Sequence, residues 1–160
     1  MKEKLIGLFI LIILSICAIV YVKEAEEISV LTIREVMIPM PDGIQLVADI
    51  YMPTDIPAGE HLPVLLEYTP YRKNDSRGSR YGVYTYFVKR GYVVARVDIR
   101  GTGNSQGRTI PYEYSEIELS DGDAVIAWLA KQNWSNGKVG MFGISWGGFN
   151  SIQMAVRKPP

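Results

Sequence analysis

Gly143-Ile144-Ser145-Trp146-Gly147 sets a serine midway between two glycines. The apolar run Lys138-Val139-Gly140-Met141-Phe142 precedes it and reads as a strand, and Phe149 to Arg157 follows as a helix. A serine on a sharp strand-to-helix turn has its hydroxyl exposed above the sheet, which is the arrangement a nucleophile needs. Side chains at 143 and 147 would collide across such a turn, so both positions call for glycine. The helix that starts beside Ser145 brings unpaired N–H groups and the positive end of its dipole. The Trp146 N–H is therefore placed to bond a developing oxyanion. The chemistry implied is acyl transfer through a seryl intermediate. The competing reading is an ordinary glycine-rich strand-to-helix turn.

Other candidates read as structural. Gly101-Thr102-Gly103-Asn104-Ser105-Gln106-Gly107 also follows a strand, but a dinucleotide fingerprint needs glycine where Gln106 stands. With no G-K-[ST] present, a tight turn at the sheet edge is the better reading, and a nucleotide-binding domain is disfavoured. Asp121 and Asp123 could be paired catalytic carboxylates, but acids at a helix start are more often caps. His61, between Glu60 and Leu62, reads as a solvated surface side chain. It is the one histidine, and Cys17 is the one cysteine. A histidine-rich metal site, a thiolate cluster and a disulfide framework are thereby excluded, and no metal or organic cofactor is implied.

The elements that must position Ser145 follow from the pattern. Ile33 to Met40 and Ile44 to Tyr51 read as strands joined by the turn Pro41-Asp42-Gly43. Pro63 to Tyr68 is a third strand, Thr69 to Arg80 a polar loop, and Tyr81 to Arg90 a helix closed by Gly91. Tyr92 to Asp98 is a strand whose apolar run suits burial on both faces. Ser120-Asp121-Gly122-Asp123 resembles a capping box opening a helix over Ala124 to Lys131. Asn136-Gly137 reads as a turn. Strands alternating with helices predict an α/β fold with an open, mostly parallel sheet, an N-terminal hairpin and flanking helices.

The chain has 160 residues, 48% of them apolar, which suits one globular domain. Lys+Arg and Asp+Glu are 17 each, so a nucleic-acid partner held by phosphate contacts is not expected. Residues 5–22 are uncharged and apolar, behind Lys2 and Lys4. Basic residues ahead of such a run hold the N-terminus in the cytoplasm and send the rest across. Residues 1–27 are expected to be a membrane anchor through residues 5–22 or a cleaved signal peptide, the length favouring an anchor. A buried core helix is the alternative, disfavoured because every face is apolar. The domain, residues 28–160, is then membrane-anchored or secreted, outside the cytoplasm.

From Val36 to Lys158 the chain resembles the N-terminal part of the X-prolyl dipeptidyl-peptidase and cocaine-esterase-like family of α/β-hydrolases. The resemblance rests on ordered segments: Met37 to Leu46, Tyr68-Thr69-Pro70-Tyr71, Arg90 to Val94, Asp98 to Gly107, Trp134 to Gly140, and Gly143 to Gly148. It implies cleavage of esters, amides or X-Pro peptide bonds in small-molecule or short-peptide substrates. Ser145 would be the nucleophile, with the Trp146 amide and the Tyr71 hydroxyl forming the oxyanion hole. For Tyr71 the competing reading is a packed loop aromatic. Many relatives carry Tyr where Trp146 stands. In such hydrolases the acid and histidine follow the serine, but no His, Asp or Glu follows Ser145 here. The expectation is an incomplete domain lacking the triad acid and base, inactive by itself. The alternative is a non-catalytic, membrane-anchored pseudo-hydrolase or binding module.

Overall fold

The computed structural model describes residues 29–159. The leader expectation for residues 1–27 lies outside them. Among the described residues no helix is long and apolar enough to cross a membrane.

Five strands form one sheet: β1 (Val30–Pro39), β2 (Gln45–Pro53), β3 (Leu62–Thr69), β4 (Val93–Asp98) and β5 (Ser135–Met141), in the order β1-β2-β4-β3-β5. β4, β3 and β5 are parallel, and the β1–β2 hairpin joins them antiparallel through β2. Gly43 supplies the positive φ of 88° at the hairpin turn.

Alternation along the strands gives the sheet two different faces. Leu46, Ala48 and Ile50 of β2, Leu66 and Tyr68 of β3, and Ala95 and Val97 of β4 join one apolar core. Two helices cover it, α2 (Glu116–Ala130) through Val125 and Leu129 and α3 (Trp146–Arg157) through Met154. The opposite face carries α1 (Arg77–Val88), whose Tyr84 and Val88 sit one turn apart against Tyr51 and Val94. This second face also buries charge. Asp49 meets Lys73 and Arg77, and Glu67 meets Arg80 and Arg96. Buried ions persist when paired, and deleting one partner typically costs about 3–5 kcal/mol.

Three elements differ from the sequence expectation. α1 begins at Arg77, inside the segment read as loop, because Arg77 and Arg80 turn inward to Asp49 and Glu67. α2 begins at Glu116 after Ser115, so Ser120 to Asp123 lie in the helix interior and cap nothing. Asn136-Gly137 is a bulge within β5: Leu62 pairs Ser135, but Val64 pairs Val139, and Gly137 takes φ 83° in the slack.

Candidate active site

β5 delivers Ser145 to the carboxyl ends of the parallel strands. The Phe142 N–H still donates to the Leu66 carbonyl (3.1 Å), after which the chain turns sharply into α3. Ser145 sits at φ 55°, ψ −119°. A non-glycine residue in such a region stores strain, commonly about 1–3 kcal/mol, and persists only where its surroundings hold it. Its side chain makes no capping bond and it is exposed, so the hydroxyl is free.

The flanking glycines allow the turn to close. A Cβ on Gly143 would lie 2.7–2.8 Å from the backbone of Gly147, and one on Gly147 would lie 2.9 Å from Thr69 Cγ2. Helix α3 thus packs directly on the end of β3. The Phe149 N–H donates to the Ser145 carbonyl at 3.0 Å, closing the first helical turn.

The Trp146 N–H, one of the first-turn donors without a helical acceptor, donates to the Tyr71 hydroxyl at 3.2 Å. Tyr71 stands two residues past β3 and is 47% exposed. Its segment is pinned from below by Lys73, which is fully buried. The Lys73 N–H donates to Asp98 Oδ1 (2.6 Å), and its ammonium reaches Glu35 (2.5 Å) and Asp49 (3.2 Å). Lys73, then Asn104, hold the Glu35 carboxyl down at about 2. Glu35 reaches them from a bulge in β1, at φ 56°. Burial pushes the Asp98 carboxyl up, against the opposing pull of the Lys73 N–H.

The Gly101–Gly107 loop braces this end of the sheet. The Ser105 hydroxyl donates to the Asp98 carbonyl (2.7 Å) and accepts from the Val47 N–H (2.9 Å). A Cβ on Gly103 would fall on the Asp98 carboxylate.

Behind Ser145 lies Glu118 of α2, fully buried. Its Oε1 accepts from the Trp146 indole (2.6 Å) and from Asn150 Nδ2 (2.8 Å), and its Oε2 accepts from the Tyr114 N–H (2.9 Å). The Tyr114 ring packs on Trp146 and Phe149, with centroids 5.4 and 6.0 Å away. Sequence reasoning passed over Lys73, Glu35 and Glu118, since each acts through partners distant in the chain.

Ser145, Trp146 and Tyr71 therefore come together, and the other candidates do not join them. Asp121 binds Arg100 through both carboxylate oxygens (2.6 and 2.7 Å), and Arg100 also reaches Asp42 of the hairpin turn (2.6 Å). Asp123 holds Arg157, tying α2 to α3. Neither acid caps a helix. His61 is exposed ahead of β3, with Nδ1 2.8 Å from the Asn133 carbonyl. β3 and β5 are parallel, so His61 lies at the opposite end of the sheet from Ser145, a strand length of roughly 20 Å away. Among the described residues no cluster of His, Cys, Asp or Glu is arranged to hold a metal ion.

Comparison with known proteins places this geometry. The X-Pro dipeptidyl-peptidase (S15 family) model matches residues 42–160. The cocaine esterase of Rhodococcus sp. (strain MB1 Bresler) is 37% identical over 123 residues, covering 76% of this chain and 20% of the relative. A CocE/NonD family hydrolase from Staphylococcus aureus superposes with TM-score 0.70 at 26% identity, covering 82% of this chain and 26% of that one. An alpha-amino acid ester hydrolase superposes with TM-score 0.66 at 32% identity, covering 86% and 25%. The chain spans about a fifth of the length of the cocaine esterase and about a quarter of the two solved structures.

Proposed function

The chain belongs to the X-Pro dipeptidyl-peptidase (S15) family of α/β-hydrolases, and from that membership we propose that it forms the nucleophile-bearing part of a serine acyl hydrolase. Its substrates are esters, amides or X-Pro peptides of small-molecule or short-peptide size. Ser145 Oγ attacks the scissile carbonyl and loses its proton to a general base. The carbonyl oxygen becomes an oxyanion between the Trp146 N–H and the Tyr71 hydroxyl. Collapse expels the alcohol or amine, and water then releases the acyl group by the same steps.

The observation that carries this reading is the strained, exposed Ser145 beside a Trp146 N–H that already holds a phenol oxygen at 3.2 Å. Preorganised donors act strongly because they need no rearrangement as charge develops. His61 is remote from Ser145 and is not the base of this reading. Residues 5–22 would anchor or export the domain, placing it outside the cytoplasm.

The test is hydrolysis of p-nitrophenyl esters by the intact hydrolase of which this chain is proposed to form the nucleophile-bearing part; residues 28–160 alone should show none. Ser145→Ala should remove about 10⁶-fold in kcat. Hydrolysis that survives the substitution would contradict the assignment.

A further inference from the structure

Glu118 is the buried group beside the site that the acyl-transfer steps leave without a role. Its side chain is fully buried, and its three hydrogen-bond donors are all neutral: the Trp146 indole, the Asn150 amide and the Tyr114 N–H. Deep burial of a carboxylate on neutral donors alone is costly, so a structural filler would be better served by an apolar residue. The three donors share one feature, since each belongs to, or packs on, the start of the helix that Ser145 opens. Trp146 and Asn150 lie one turn apart at the start of α3, where Asn150 also donates to the Tyr68 carbonyl of β3 (3.3 Å). Tyr114 is held at φ 57°, a left-handed conformation that a tyrosine rarely takes, by the bond from its N–H to Glu118.

We propose that Glu118 is a positioning residue for the oxyanion hole. It grips the indole of Trp146 so that the backbone N–H of the same residue stays aimed at the oxyanion. Residue 146 is then fixed at two points, its side chain on Glu118 and its N–H toward Tyr71. Tyr114, held by the other carboxylate oxygen, packs its ring on the indole and stops it from rotating. The N–H of the first helical residue has no helical acceptor to orient it, so its direction depends on this side-chain anchor.

The inference rests on the serine-hydrolase reading. It makes a prediction whose sign differs from that of simple charge. A negative charge near the oxyanion disfavours it, so by charge alone Glu118→Gln should raise kcat. Positioning requires the reverse. The neutral amide bonds the indole more weakly and turns an N–H₂ toward one of the three donors.

The test uses the intact protein and an ester substrate, with Glu118→Gln, Trp146→Phe and the double variant. Each single variant should lower kcat roughly tenfold to a hundredfold, the scale of a misaligned catalytic group, with KM within about twofold. The double variant should lose little more than either single one, because both break the same link. The Trp146 indole ¹⁵N–H resonance, identified by its loss in Trp146→Phe, should move upfield in Glu118→Gln. If Glu118→Gln fails to fold, Trp146→Phe decides alone. Unchanged kcat in Trp146→Phe, additive losses in the double variant, or a loss confined to KM would overturn the positioning role. A wild-type protein without Ser145-dependent turnover would instead sink the hydrolase reading, and this inference with it.

Discussion

The Trp146 N–H donates to the Tyr71 hydroxyl over 3.2 Å, across 75 residues of sequence. The phenol oxygen occupies the acceptor position that the proposed reading gives to a substrate oxyanion. On the proposed reading, a carbonyl oxygen entering there would displace the phenol oxygen from the amide and meet two donors, one from backbone and one from side chain. The backbone that carries Tyr71 is pinned two residues on by the buried Lys73, whose N–H donates to Asp98.

The first prediction follows from that exchange. Tyr71→Phe keeps the ring and deletes the donor. Loss of one oxyanion-hole donor costs roughly 10²–10³ in kcat, about 3–4 kcal/mol. KM should change little, since the bond strengthens mainly in the transition state. Steady-state kinetics of the intact protein measure this, and an unchanged kcat would reduce Tyr71 to a packing residue.

A second prediction tests the close approach of α3 to β3. Gly147→Ala sets a methyl 2.9 Å from Thr69 Cγ2. Overpacking of this kind typically costs about 1–3 kcal/mol. Adding Thr69→Ser removes the Cγ2 and should restore most of the lost Tm. Gly143→Ala meets the backbone of Gly147, which cannot retreat, so no single side-chain change should rescue it. Thermal melts of the three variants separate the two cases, and failure of Thr69→Ser to rescue would contradict the packing geometry.

A third prediction concerns acid stability. Lys73 and Asn104 hold the Glu35 carboxyl at about 2, against an ordinary value of 4.5. A depressed carboxyl contributes stability that is present above its unfolded value and is lost as pH falls through its folded value. The contribution of Glu35 should therefore be complete above about pH 4.5 and fade between there and about pH 2. Glu35→Gln removes the titration and should flatten the fall of Tm across that window. Equal slopes in the two proteins would show that Glu35 does not carry the effect.

Much of the site was legible because glycine spacing is a local signal. Gly143 and Gly147 bracket Ser145, and the strand-helix switch around them is written in consecutive residues. Gly122 misled for a physical reason. Beside Ser120, Asp121 and Asp123 it looked like a helix start, yet it lies inside α2, where a Cβ would meet Met154 Sδ at 2.9 Å. That glycine serves close packing of α2 on α3, a tertiary demand with no local signature. Arg77 and Arg80 likewise looked like solvated loop until Asp49 and Glu67 of neighbouring strands provided partners. Glu118 was invisible for the same reason, as two of its three donors lie 28 and 32 residues away.

The central claim is that Ser145 is a nucleophile, and a fluorophosphonate probe tests it most directly. The intact protein should take up one probe per chain, and mass spectrometry of the digested adduct should place it on Ser145. Ser145→Ala should take up none, while Tyr71→Phe should label more slowly, because the phosphonyl oxygen uses the same donors. Labelling that persists in Ser145→Ala, or an adduct located on another residue, would contradict the account.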